Sequence, residues 1–174
     1  MSGIKRYLLD SDVLVTSNRW HYQPGFCEAF WDWIDAGHKS GRFYSIDKVK
    51  DELCGPKKEP DLLHKWAMRP GLADFFLKSS PAATHWSDLS NWALARPYLP
   101  AAKEKFLNVK SADAWLIAFS LHAGECVVVT NEVAAPESKR DIKLPDAATA
   151  HGVQTMNLSA LLALHAHKNF TFKA

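Results

Sequence analysis

Short apolar runs and helix-period stripes alternate along this chain. Residues 4–9 form a compact apolar run, and Asp10 and Ser11 then supply helix-start chemistry for a helix over 12–17. A loop follows over 18–24. Phe26, Phe30, Trp33 and Ile34 recur at helical spacing and predict a helix ending near Gly37. Residues 43–46 predict a very short strand. Asp47 reads as the N-cap of a helix carrying Val49, Glu52 and Leu53, stopped by Gly55 and Pro56. A charged, turn-rich bridge leads to a helix over 61–68. The stretch 70–110 reads as helical and aromatic, with Pro81 and Pro100 at first-turn positions of helices over 81–95 and 100–107. Ser111 caps a helix to Ala123, and Gly124 stands where a C′ glycine belongs. Residues 125–130 form the clearest strand. Residues 145–151 predict a short helix stopped by Gly152, 153–156 a last strand and 159–167 a last helix. Strand–helix alternation at both ends predicts an α/β three-layer sandwich, with a central, mainly parallel sheet and a helical insert in the middle of the chain.

At 174 residues and 19.5 kDa the chain suits a single domain over 1–174 with a substantial core. A net charge of +2 and a pI of about 8.4 remove any bulk basic signature of nucleic-acid binding and leave room only for a local basic rim. Cys27, Cys54 and Cys126 have no paired spacing, which favours a reduced, cytoplasmic setting over a disulfide scaffold. Cys126 falls in an apolar run and reads as core. Residues 1–6 carry no secretory h-region, and no stretch is long and apolar enough to span a bilayer. The eight histidines have no zinc-site spacing. Trp31 and Trp33, two apart on one helix, cannot share a face, which predicts that one of them is exposed.

The chemistry lies in acidic residues at the seams of apolar runs. Asp10 ends the first strand, Glu132 follows the clearest strand, Asp113 opens the apolar helix leading into that strand, and Glu52 lies in the helix after the second strand. Strands of a parallel sheet deliver their carboxyl ends into one crevice, where ligands bind. Carboxylates gathered there repel, at roughly 3 kcal/mol for a pair ~5 Å apart in an effective dielectric of ~20. A hard divalent cation with oxygen ligands is the usual reason to keep them together. Singly, Asp10, Asp47 and Asp113 also suit plain helix N-terminal chemistry, and Glu52 suits a solvated helix face.

Four segments resemble the motifs of the PIN-domain family in the family's order. They are Leu8-Leu9-Asp10-Ser11-Asp12-Val13-Leu14, the stretch 45–53 with its glutamate at Glu52, the stretch 111–118 with Asp113, and Val128-Val129-Thr130-Asn131-Glu132. The resemblance spans residues 4 to about 157. Asp12 stands where the family usually has Asn, and Glu132 where Asp is commoner. The segment between Glu52 and Asp113 is longer than in minimal members, pointing to a less-studied prokaryotic PIN-like branch near the VapC-type toxins. The resemblance implies a ribonuclease dependent on Mg²⁺ or Mn²⁺. Asp10, Glu52 and Asp113 would hold the principal ion, with Glu132 or Asp146 completing it or a second ion. Ser11, Asp12 and Thr130 would stand behind these or touch phosphate. Lys48, Lys50, Lys57, Lys58, Lys110, Lys139 and Arg140 flank the motifs and suit phosphate contacts that position a backbone without reading sequence. The seven tryptophans suit core packing first and base stacking second. The resemblance also implies a cognate antitoxin and a homodimer; no membrane partner is expected, from the lack of a long apolar stretch.

Two other readings use the same residues. Asp10-Ser11-Asp12 also matches the opening of haloacid-dehalogenase-like phosphatases, with Asp10 as the phosphoryl-accepting nucleophile and Thr130 and Lys143 in supporting positions. That leaves Glu52 and Asp113 idle, and no acidic residue ends the last strand. A catalytically silent PIN-like adaptor or RNA-binding module is motivated by Asp12 and Glu132 and opposed by the retention of all four carboxylate positions.

Overall fold

The computed structural model describes residues 5–56 and 59–174. Ile4, Lys57 and Lys58, assigned above to a strand and to phosphate contacts, lie outside the described residues. Five strands form one sheet: β1 (Arg6–Leu9), β2 (Phe43–Ile46), β3 (Phe76–Leu77), β4 (Cys126–Val129) and β5 (Gln154–Met156). Nine α-helices accompany them among the described residues: α1 (Ser11–Thr16), α2 (Glu28–Lys39), α3 (Asp47–Leu53), α4 (Leu62–Ala67), α5 (Ala83–Ala95), α6 (Pro100–Phe106), α7 (Ala112–Ala123), α8 (Leu144–Ala150) and α9 (Leu158–His165). Strand order is β3-β2-β1-β4-β5, and all the pairings are parallel. The fold is an α/β three-layer sandwich with helices flanking the sheet. No helix among the described residues is long and apolar enough to cross a membrane.

This order has one consequence for function. From β1 the chain builds outward through β2 to β3, then returns to the other side of β1 for β4 and β5. The reversal falls between β1 and β4, and the carboxyl ends of such a strand pair frame the crevice where open α/β sheets bind ligands. The strand ends there are stitched tightly. Asp10 N–H donates to Val129 O at 2.9 Å, Thr130 N–H to Met156 O at 2.9 Å, and the buried Ser45 hydroxyl to Leu9 O at 2.6 Å.

Why these segments fold locally is visible in their caps and buried faces. The Asp10 side chain accepts from Ser11 N–H and starts α1, which runs on into a π-helical turn over Ser17–His21 rather than the expected loop. Gly124, at φ +62, ends α7. Its backbone angle is one that side chains with a Cβ rarely take. α2 buries Phe30, Trp31, Trp33 and Ile34. Both Trp31 and Trp33 are buried, at 4% and 1% exposure, which corrects the expectation that one would be exposed. Their indole N–H groups find acceptors in different places, Tyr22 O at 2.6 Å and His165 O at 2.8 Å, because the chain wraps both flanks of the helix. Phe26 lies before α2 and is 70% exposed, so it belongs to the preceding turn and not to the helical stripe.

Three further readings change. Asp47 is the first residue of α3 rather than its cap, and its carboxylate accepts from Ser79 N–H at 3.2 Å. Ser111 occupies the N-cap of α7 without a side-chain bond. The segment read as wholly helical also contributes β3, which pairs with β2 at the sheet edge.

Gly37 is where α2 meets β2. A Cβ there would overlap the ring of Phe43, itself fully buried and unable to swing aside. Gly37→Ala gains about 1 kcal/mol of helix propensity and meets an overlap costing about 1–3 kcal/mol or more. The overlap wins. We expect a lower urea midpoint for Gly37→Ala, whereas Gly71→Ala, with nothing within 4 Å of its Cβ, should unfold close to the parent; equal midpoints for the two variants would contradict this packing.

Candidate functional site

Asp10 leaves β1 at the reversal point and is 2% exposed. Its Oδ1 accepts from Ser11 N–H at 2.6 Å and its Oδ2 from the Thr130 hydroxyl at 2.9 Å. Thr130 follows β4, so this contact ties the ends of the two central strands through side chains as well as backbone. Asp12, in the first turn of α1, accepts from Asn131 N–H at 3.0 Å and lies 3.5 Å from the Thr130 hydroxyl. The Thr130 oxygen in turn accepts from Glu132 N–H at 3.2 Å. Ser11, through its backbone N–H, and Thr130, through its hydroxyl, therefore both restrain the Asp10 carboxylate.

Glu52 and Asp113 come from the flanking helices. Glu52 Oε1 accepts from Ala112 N–H at 2.8 Å, so the side chain of α3 caps the start of α7 and does the work expected of Ser111. Asp113 accepts no hydrogen bond from any described residue, yet it feels the whole cluster. Burial first, then the negative charges of Glu132 and Glu52, push its carboxyl from the ordinary 3.8 up to about 6; Lys105 counters and Asp12 adds. Asp10 is raised well above its ordinary value by burial, then by Asp12 and Asp113, against the bonds from Thr130 and Ser11. Asp12 is raised by burial, with the Asn131 bond opposing and Glu132 adding. Asp10, Asp12, Glu52, Asp113 and Glu132 thus share one electrostatic crevice.

Glu132 is turned toward the start of α8. Its Oε2 accepts from Leu144 N–H at 2.9 Å, and Lys143 Nζ lies 3.6 Å from Oε1. Asp146, in the first turn of α8, accepts from Ala135 N–H at 2.8 Å through Oδ2 and closes the loop between Glu132 and α8. Of the basic residues proposed for phosphate, Lys48 lies over the Trp115 ring and Lys50 over Phe76, while Lys110, Lys139 and Arg140 are exposed. Sequence reasoning missed Lys105 and the structural part of Asn131, whose Oδ1 accepts from Leu158 N–H at 3.2 Å and anchors α9 to the crevice. It also considered Lys143 only for the phosphatase reading. An Asn directly after a strand-end Thr was the one available signal.

The donor chemistry fits a hard divalent ion: oxygen ligands only, surplus negative charge, and carboxyls whose proton affinity is raised by burial first and by neighbouring carboxylates second. Among the described residues, no three His, Cys, Asp or Glu side chains form a ready-made metal-holding group. The hydrogen bonds give the physical reason. Glu52 and Glu132 each turn one oxygen to a helix N-terminus, Ala112 N–H and Leu144 N–H respectively, where backbone N–H groups favour anions. A cavity of about 450 Å³ opens elsewhere, at the opposite end of β4 from Thr130, lined by Lys5, Ser120, Cys126 and Gln154 among others. It shares no residue with the carboxylate crevice.

A family model described as a domain of unknown function, DUF4411, matches residues 7–170. The chain belongs to the DUF4411 family. The match takes in every carboxylate of the crevice and every strand but the first residue of β1. Neither the curated proteins nor the solved structures compared with the chain return a match.

Because the Asp10, Asp12 and Asp113 carboxyls titrate above their unfolded values, the stability they contribute is present below about pH 4 and lost as pH rises through their folded values, about 6 for Asp113. In EDTA, the melting temperature should fall across this window, and Asp113→Asn should flatten the fall. At about pH 8 the variant should melt roughly 2–4 °C above the parent for each ~1 kcal/mol of repulsion removed. A variant less stable than the parent there would mean that Asp113 is held by a favourable partner.

Proposed function

We propose that this chain is a metal-dependent endoribonuclease, hydrolysing RNA phosphodiester bonds with a PIN-like carboxylate site, and that it acts as the toxin of a toxin–antitoxin pair in the cytoplasm. The observation that carries the reading is the gathering of Asp10, Asp12 and Asp113 at the carboxyl ends of β1 and β4, where burial and neighbouring carboxylates, Glu52 and Glu132 among them, raise all three. Five acidic groups sharing one crevice oppose folding unless a ligand uses them.

Asp10, Glu52 and Asp113 would hold Mg²⁺ or Mn²⁺, with Glu132 adding a fourth carboxylate. When bound, such an ion makes water a better nucleophile at neutral pH and neutralises charge on a phosphate oxygen. The protein's own groups do the rest. Thr130 and Ser11 N–H fix the Asp10 carboxylate on both oxygens. Lys143 and Leu144 N–H fix the orientation of the Glu132 carboxylate. Asp113, without a hydrogen bond from any described residue and raised to about 6, is the group free to take a ligand or accept a proton. Exposed Lys110, Lys139 and Arg140 are available to phosphates along a strand. The antitoxin and the homodimer come from the resemblance alone, and the exposed Trp20 and Phe26, at 76% and 70%, are apolar surface open to either.

The phosphatase reading is poorly served by the same geometry. Asp10 is 2% exposed and accepts one hydrogen bond on each oxygen, which suits a fixed ligand better than a nucleophile that must reach a phosphorus atom in line. Glu52 and Asp113, idle in that reading, are tied electrostatically to the crevice.

Incubation of purified protein with a mixed RNA pool tests the proposal. We expect cleavage with Mg²⁺ or Mn²⁺, none with EDTA, a loss of at least about 100-fold in Asp113→Asn, and a loss of about 10–100-fold in Thr130→Val, which removes support behind the carboxylates. Metal binding without cleavage across varied RNAs would favour a silent adaptor. Cleavage that survives Asp113→Asn would contradict the assigned site.

A further inference from the structure

We propose that Trp115 and Lys48 form a subsite for one unpaired nucleotide beside the carboxylate crevice, making this chain selective for single-stranded RNA; the inference rests on the ribonuclease reading. The Lys48 ammonium lies 5.7 Å from the centroid of the Trp115 ring. The Trp86 ring stacks on Trp115 at 5.5 Å with 22° between the planes. Trp115 thus has an aromatic neighbour stacked on it and a cation over its ring. The Trp115 indole N–H donates to Val109 O at 3.2 Å, which fixes the ring's orientation. Trp115, Trp86 and Lys48 are all half-buried, unlike the fully enclosed Trp33.

The platform sits on the seam between α3 and α7. Lys48 and Glu52 are four residues apart on α3 and share a flank, about 6 Å apart along the helix axis. Glu52 reaches Ala112 N–H and Lys48 reaches Trp115, so two successive rungs join the helices. One rung is a carboxylate of the crevice. The other is an aromatic ring with a cation resting on it.

An ammonium over a partly exposed indole is a weak contact that a better partner displaces. A phosphate is that partner, through a charge-assisted bond. Once Lys48 turns to phosphate, the Trp115 face it covered is free for a base, and aromatic faces accept any base by stacking. A duplex gains nothing here, because its bases already stack on one another.

Fluorescence anisotropy with short labelled RNA, single-stranded or duplex, tests this in the Asp113→Asn protein with EDTA, where binding is read without cleavage. Adding Trp115→Ala should weaken single-strand binding about tenfold and leave duplex binding unchanged, with Trp115→Phe recovering most of the loss. Lys48→Ala should reduce the slope of log affinity against log salt by about 0.7 for the single strand. Parental single-strand affinity in both variants, equal losses on both forms of RNA, or a parent that binds neither form would overturn the inference. Lys48→Ala truncates a half-buried surface side chain and carries the test if Trp115→Ala does not fold. The ribonuclease reading is judged separately, by cleavage with the unsubstituted protein and Mg²⁺. A protein that cleaves but ignores both substitutions removes this subsite alone.

Discussion

Negative charges placed in one crevice push apart, and the architecture around β1 and β4 is arranged to keep them in place. Each carboxylate but one is held by a donor supplied by a different part of the chain. Thr130 and Ser11 N–H hold Asp10, Asn131 N–H holds Asp12, Ala112 N–H holds Glu52, and Leu144 N–H holds Glu132. These same bonds join α3 to α7, α1 to the end of β4, and the loop after β4 to α8. The repulsion is therefore tied to the tertiary structure: the contacts that restrain the charges are also those that dock the helices. Asp113 is the exception, without a donor among the described residues and with its carboxyl pushed up to about 6.

The sheet explains why these residues meet. Asp10 and Glu132 are over a hundred positions apart in sequence, yet β1 and β4 pair in parallel from Arg6 opposite Cys126 to Leu9 opposite Val129. That register sets Asp10 beside Thr130. Ser45, on β2, then fixes the end of β1 from the other side. Membership of the DUF4411 family covers this whole assembly. The ribonuclease proposal adds only a cation and a substrate to it.

Much of this was legible in the sequence because it rests on local signals. The apolar run ending in Asp10, the short 43–46 strand and the apolar 125–130 run are periodicity and length, and all three fall within a residue or two of β1, β2 and β4. What escaped depends on long-range partners. β3 has two residues, too few to show a period, and exists because β2 offers an edge. Asp47 carries a cap residue's chemistry but spends it on Ser79, a neighbour created by that same edge. Trp31 and Trp33 are both buried because Trp66 packs against one and the His165 region against the other, a wrapping that a helical wheel cannot convey. In the crevice, the carboxylates were readable from their seams, whereas the roles of Lys105, Asn131 and Lys143 required knowing which loops return to the site.

The claim on which the account depends is that the crevice exists to take a hard cation. Calorimetric titration of Mn²⁺ into metal-free protein at about pH 6, in two buffers of different ionisation enthalpy, tests it most directly. Asp113, raised to about 6, is partly protonated there and must release that proton when a cation binds it, and the upward shift of Asp10 acts in the same direction. The account predicts saturable binding with measurable proton release, reduced in both respects by Asp113→Asn. Absence of binding, or binding that releases no protons and is indifferent to Asp113, would contradict it.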